Sequence, residues 1–228
     1  MIITIAREYG SGGRVIGQKV AEKLGFTFYD NELIRKVCKE SGMDFDFVAE
    51  QSEYAGNKFF QNILMSDPAI GSAHAATALS LQDKIFVQIG RIVKEIARTE
   101  NAVIVGRSAD SILRERENVL NVFIHADPEH KLQRVLSLGI PEKEARKTMK
   151  RRDKMRANFH KYYTGEDWGK ASSYALTLDS GALGYDLCVD LICQAAQSKT
   201  QNLATRSKKD EIEKASSILR MFISEQEQ

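Results

Sequence analysis

A short apolar run, Ile2-Ile3-Thr4-Ile5-Ala6, passes into Gly10-Ser11-Gly12-Gly13-Arg14. Val15, Ile16, Val20, Ala21 and Leu24 then recur at helical spacing until Gly25. The pattern predicts a strand, a glycine-rich turn and a helix, the arrangement in which backbone N–H groups at a helix N-terminus cradle phosphate. An ordinary strand-to-helix turn uses its glycines only for tight geometry. The position directly after the first strand, with Ser11 and Arg14 inside the turn, favours the phosphate reading. The common phosphate-binding motif, G-x-x-x-x-G-K-[ST], takes a lysine for the β/γ-phosphates and a hydroxyl for Mg²⁺. If the strand end sets the register, those positions fall on Gly13 and Arg14. The backbone of Gly10, Ser11, Gly12, Gly13 and Arg14 is then the candidate cradle. Arg14 is its candidate cation, since a guanidinium makes bidentate contacts to phosphate oxygens.

Four more segments read as strands, short and rich in β-branched or aromatic residues: Phe26–Tyr29, Ala102–Val105, Val119–His125 and Tyr174–Leu178. Helical patterns cover Glu32–Lys39, Phe45–Arg98, Ala109–Arg116, Pro128–Ser137, Pro141 to about Tyr163, and Leu183–Gln197. Strands that alternate with helices and carry continuous apolar runs such as Val103-Ile104-Val105 predict a parallel sheet covered on both faces. The expected fold is an α/β, doubly wound, five-stranded parallel sheet with ligands at the carboxyl ends of its strands.

With 228 residues and 43% hydrophobic content, one main domain with insertions is expected. The division runs at 1–198 for the domain and 199–228 for a charged linker and a C-terminal amphipathic helix. Within the domain, about 40–98 is a helical insertion and about 141–170 a basic, aromatic excursion over the ligand edge. Ile212, Ala215, Ile218, Leu219 and Phe222 mark the terminal helix as a candidate for docking or homo-oligomer formation. The 33 basic and 31 acidic side chains nearly cancel, so global charge gives no argument for nucleic acid. No apolar stretch approaches a membrane span and no leader is evident, which makes a cytoplasmic protein the expectation. The three cysteines, Cys38, Cys188 and Cys193, lack C-x-x-C spacing and read as reduced thiols.

Beyond the loop, Gly106-Arg107 follows the third strand directly and puts a permanent cation at the carboxyl edge; the alternative is a surface arginine after a turn. Asp110 either faces the same cleft or caps a helix. Arg152, Asp153 and Arg156 share adjacent helix surface through their spacing. Such a cluster can close over polyphosphate and stabilise charge in phosphoryl transfer, or be a solvated face. Arginines interleaved with Phe159, Tyr162, Tyr163 and Trp168 leave RNA stacking as a third option. Asp30, at the end of the second strand, meets substrate or metal, or caps the next helix.

These residues resemble the bacterial cytidylate kinase-like family, a divergent branch beside the true cytidylate kinases in the nucleoside monophosphate kinase group. The resemblance runs from Ile2 to about Gln197. It is carried by Ile5 to Arg14 (IAREYGSGGR), Phe28-Tyr29-Asp30, Val103 to Arg107 and Tyr162 to Trp168 (YYTGEDW). It implies a P-loop kinase fold in which 40–98 is the acceptor-binding insertion and 141–170 the lid. Arg107 matches the arginine of a Gly-Arg-Asp motif that contacts the monophosphate, Asp153 and Arg156 match a lid Asp-x-x-Arg, and Asp30 matches the aspartate opening the nucleotide-binding segment. Asp179-Ser180 matches a late strand-end pair. Gly13 stands in place of the loop lysine, Arg14 and Val15 in place of Gly and Thr, and Val105 and Ser108 in place of the aspartates flanking Gly-Arg.

The resemblance implies transfer of the γ-phosphoryl group of ATP, with Mg²⁺, to a nucleoside monophosphate, CMP or dCMP. Gly10 to Arg14 hold the ATP phosphates, Ser11 is an indirect partner of Mg²⁺, and no protein side chain is expected as a direct metal ligand. Arg107 and Asp30 bind the acceptor, Arg152 and Arg156 act as catalytic lid arginines, and Asp153 orients Arg156 or the substrate. Two other readings stay open: a nucleotide-binding sensor without turnover, and a kinase for another small acceptor. RNA binding is the weakest rival.

Overall fold

The computed structural model describes residues 1–30, 33, 35, 36, 38, 39 and 80–226, with side chains described up to 208 and that of residue 81 excepted. Five strands form one parallel sheet: β1 Ile2–Arg7, β2 Thr27–Tyr29, β3 Ala102–Val105, β4 Val119–His125 and β5 Leu176–Asp179, in the order β2-β3-β1-β4-β5. Register is fixed by pairs such as Ile5↔Val105 and Ile5↔Val122 at the centre and Val122↔Leu176 at the edge. The doubly wound five-stranded sheet expected from the sequence is therefore present. A strand's side chains alternate between faces. Ile2 and Ile104 accordingly enter one core layer, while Ile3, Ile5, Val103 and Val105 enter the other.

Helix α1, Gly13–Leu24, follows β1 and packs in the second layer through Ile16, Val20 and Ala21. Gly25 ends it with φ 67°, donating its N–H to the carbonyls of Ala21 and Glu22. Helix α2, Leu81–Thr99, lies in the first layer, burying Ile85, Ile89, Ile92, Val93 and Ile96. Its start is fixed by a capping box in which Ser80 Oγ accepts from Asp83 N–H and the Asp83 carboxylate accepts from Ser80 N–H. Of the expected helical insertion, residues 40–79 lie outside the described residues; of the expected helix over 32–39, residues 33, 35, 36, 38 and 39 are described and helical.

Helix α3 covers only Ala109–Ile112, shorter than the expected Ala109–Arg116. Leu113 turns into the core, and Arg114 to Glu117 offer no apolar face to prolong a helix. Helix α4, Pro128–Ser137, is capped by Asp127, whose Oδ1 accepts from the N–H groups of Glu129 and His130, with proline in the first turn. Helix α5, Glu142–Thr164, ends at Gly165 with φ 74°. A 3₁₀ turn over Ala171–Ser173 delays β5, so the strand begins two residues after the expected Tyr174. Tyr174 instead turns inward against Phe123, ring centroids 5.1 Å apart.

After α6, Ser180–Leu183, helix α7 runs unbroken over Tyr185–Gln226, straight through the segment expected as a charged linker. That segment holds neither glycine nor proline, and its Lys, Gln, Ala and Arg residues are good helix formers. The side chains of the expected oligomerisation stripe, Ile212 to Phe222, lie outside the described residues. Among the described residues no helix is long and apolar enough to cross a membrane.

The topology positions the site. From β1 the chain crosses to α1 on one face, whereas from β3 it crosses to α3 on the other. These two strands are neighbours, so their carboxyl ends open a crevice of the kind that binds ligands in doubly wound folds.

Candidate active site

The loop from β1 to α1 is shaped by Gly10 and Gly12, whose φ values of 88° and 73° side-chain-bearing residues rarely adopt. Gly12 is the N-cap of α1. Among the described residues no side chain caps this helix end, and its first turn holds no acidic residue. Its unpaired N–H groups and the positive end of its dipole suit an anion. The loop is braced from below. Ser11 Oγ donates to Glu8 O at 2.9 Å, and Ser180 Oγ lies 2.6 Å from Ser11 O and 3.0 Å from His125 O. Ser11 and Ser180 are both wholly buried. The Ser11 hydroxyl thus shapes the loop, which leaves little room for the indirect Mg²⁺ contact expected of it.

Arg14 leaves the loop toward β2. Its Nε donates to Asp30 Oδ2 at 2.6 Å, and Arg7 Nη2 lies 3.9 Å from the other carboxylate oxygen. The Arg14 side chain is 61% exposed and that of Asp30 only 10%. Asp30 is therefore a buried carboxylate set between two arginines.

Helix α5 crosses the carboxyl edge and grips the loop backbone. Asp153 Oδ1 accepts from Tyr9 N–H at 2.6 Å, and Arg156 Nη1 donates to Arg7 O at 3.1 Å. Arg156 stands 3.6 Å from Asp153 and lies over the Tyr9 ring at 5.5 Å. Lys131 of α4 joins the group, 2.8 Å from Glu8 Oε2 and 3.9 Å from Asp153. Burial pushes the Asp153 carboxyl above its ordinary value, against the opposing pull of Tyr9 N–H, Arg156 and Lys131. Further along α5, Tyr163 stacks on Phe86 at 4.0 Å and its hydroxyl donates to Asp83 at 3.0 Å, which fastens the helix to the start of α2.

Arg107 sits in a turn of three successive left-handed residues: Gly106 at φ 78°, Arg107 at 58° and Ser108 at 51°. Two side-chain-bearing residues held there mark stored backbone strain. Beneath them lies a buried polar group. Ser108 Oγ is 3.3 Å from His160 Nδ1, His160 Nε2 is buried without a hydrogen-bond partner among the described residues, and burial raises the Asp110 carboxyl. Asp110 thus faces the cavity from the first turn of α3, and its carboxylate also accepts from backbone N–H groups of that turn.

A small cavity of about 50 Å³ joins these parts, lined among others by Arg7, Arg107, Asp110, Arg156 and His160. Arg152, one turn earlier on α5, is half-buried and lies outside that lining. A larger groove of about 650 Å³ runs beside α2, with Phe86, Lys94, Arg98, Arg114 and Arg116 on its walls, and no glycine-loop residue lines it.

Two expected partners, Arg107 and Arg156, are thus brought to one cavity, while Arg14 and Asp30 pair beside it. Arg7, Lys131 and His160 were not singled out from the sequence. For Arg7 one signal existed: on the motif register it stands at the first glycine of G-x-x-x-x-G-K. Lys131 and His160 have no such mark.

A sequence model of the cytidylate kinase-like family matches residues 2–182. The chain belongs to that family. It is also 27% identical over 206 residues to a cytidylate kinase of Archaeoglobus fulgidus, covering 87% of this chain and 96% of the relative. The crystal structure of an uncharacterized protein from Eubacterium ventriosum is similar at TM-score 0.65 and 27% identity, covering 87% of this chain and 99% of the other. This cytidylate kinase-like chain brings Arg7 at the end of β1, its Gly106-Arg107 turn and Arg156 of α5 to one cavity.

Proposed function

We propose that the protein is a nucleoside monophosphate kinase, acting in the cytoplasm, that moves the γ-phosphoryl group of ATP to CMP or dCMP. The observation that supports the reading is a cavity where Arg7, which ends β1 just before the glycine loop, meets Arg107 of the Gly-Arg turn and Arg156 of α5. Membership of the cytidylate kinase-like family and the likeness to an archaeal cytidylate kinase support the acceptor class.

In this reading the ATP phosphates rest on the N–H groups of Gly10 to Arg14, and Arg107 binds the acceptor phosphate. An oxygen of that phosphate attacks the γ-phosphorus, the bond to the β–γ bridging oxygen breaks, and ADP and a nucleoside diphosphate result. Positioning and neutralisation of charge carry the rate, so no covalent intermediate is required. Arg156 and Arg152 of α5 stabilise the transferring group, and Asp153 keeps Arg156 in place. Asp30 holds Arg14 at the acceptor side, and residues 40–98 complete the acceptor site. Among the described residues no group of three or more His, Cys, Asp or Glu is arranged to hold a metal ion. In this reading Mg²⁺ enters as the ATP complex. The C-terminal stripe of α7 is the proposed surface for self-association.

A sensor that binds nucleotide without turnover is the second reading, favoured by Gly13 and Val105 at positions where active relatives carry a lysine and a carboxylate. Chromatography of products from Mg-ATP with CMP, dCMP, UMP, AMP or GMP separates the two. Diphosphate from CMP or dCMP, lost in Arg107→Ala, is the expected outcome. Nucleotide binding with no diphosphate from any acceptor would favour the sensor.

A further inference from the structure

The glycine loop lacks the lysine that such loops aim at the terminal phosphates, and the geometry around Gly13 explains why. A Cβ placed on Gly13 would lie 2.6 Å from Cβ of Arg7 and 3.0 Å from its Cγ. Real Cβ atoms do not approach backbone-anchored carbons that closely, so side chains at 7 and 13 exclude one another. On the motif register, position 7 is the first glycine and position 13 the lysine. This chain carries the reverse pair, a cation at 7 and a glycine at 13.

The Arg7 guanidinium reaches into the crevice between the loops after β1 and β3. A Cβ on Gly106 would lie 2.0 Å from Arg7 Nη1, so the space beside Gly106 is filled by this head group. Asp30 faces it from 3.9 Å, the Arg7 side chain is 18% exposed, and it lines the cavity that Arg107 and Arg156 also line. Arg14, by contrast, is fastened to Asp30 at 2.6 Å and its side chain is 61% exposed.

We infer that Arg7 is the phosphate-binding cation of this loop, exchanged in position with the usual lysine. It contacts the terminal phosphate of the donor where that group meets the acceptor phosphate on Arg107, and it is a catalytic residue for the transfer. A guanidinium offers paired donors to phosphate oxygens from a rigid fork, so Arg7→Lys is not a neutral change. The inference rests on the reading of the glycine loop as the ATP site.

The exchange can be tested by reversing it. Binding of inorganic tripolyphosphate to the full chain, measured by calorimetry, needs no acceptor and no turnover. Arg7→Gly is expected to weaken it by about 10- to 100-fold, the range for a lost charge-assisted contact, and Arg206→Ala, at an exposed arginine of α7 outside the site, by less than about 3-fold. Gly13→Lys alone is expected to disturb the loop, while Arg7→Gly combined with Gly13→Lys regains most of the lost affinity. Where Gly13→Lys does not fold, Arg7→Gly against Arg206→Ala still decides. Wild-type affinity in Arg7→Gly, or no recovery in a folded double variant, would overturn the inference. Diphosphate formation that Arg7→Gly leaves intact would sink the Arg7 role and leave the kinase standing. Tripolyphosphate binding lost in Arg7→Gly, in a chain that makes no diphosphate, would sink the kinase and leave Arg7.

Discussion

The backbone N–H of Tyr9 donates to Asp153 Oδ1 at 2.6 Å, joining the approach to the glycine loop to a helix far along the chain. The bond means that the loop's shape depends on α5 as much as on its own glycines. Asp153→Ala is expected to weaken ATP binding by about 10- to 100-fold, the range for a hydrogen bond to a charged group. Asp153→Asn keeps an oxygen for the Tyr9 N–H but loses the charge facing Arg156 and Lys131, so a smaller loss is expected. Titration with ATP across the three proteins measures this; equal affinity in Asp153→Ala and wild type would separate the loop from the helix.

The turn at Gly106-Arg107-Ser108 allows backbone and side chain to be tested apart. Arg107→Ala and Arg107→Gly remove the same guanidinium, but only glycine accepts the left-handed conformation without steric cost. Both are expected to raise the acceptor KM alike, while the glycine variant is the more stable by about 1 kcal/mol. Denaturant unfolding beside steady-state kinetics gives both quantities. An alanine variant as stable as the glycine variant would mean that the turn relaxes and stores no strain.

Tyr174 carries a pH dependence. Burial and the adjacent Asp110 carboxylate raise its phenol above the ordinary 10.0. The folded chain then keeps this proton more tightly than the unfolded chain does. Its contribution to stability is complete below the ordinary tyrosine value and is lost as pH rises toward the raised one. Tyr174→Phe is expected to change Tm little near neutrality and to fall less steeply than wild type above about pH 10. Parallel Tm profiles on the alkaline side would contradict this burial effect.

Much of the site was legible in the sequence because its parts follow local rules. Gly10 and Gly12 announce a tight turn after a strand, and Arg107 follows β3 with nothing between. The i, i+3 spacing of Asp153 and Arg156 puts both on one side of α5. Arg7 reads as the last residue of a strand, marked in the sequence only by its place on the motif register; the space it takes from Gly13 and Gly106 is what sets it apart. The pairing of Arg14 with Asp30 depends on α1 lying beside β2, and His160 comes under Arg107 only because α5 crosses the sheet edge. Local composition misled at α7, where polar residues looked like a linker although none of them breaks a helix, and at β5, where the apolar Tyr174 serves the core rather than the strand.

The most direct measurement follows the label from γ-³²P-ATP in the presence of Mg²⁺ and CMP. Label appearing in CDP, and lost from it in Arg107→Ala, is the expected result and would establish transfer between the two nucleotides. Label that stays in ATP, or passes only to inorganic phosphate whether or not CMP is present, would contradict the proposed kinase.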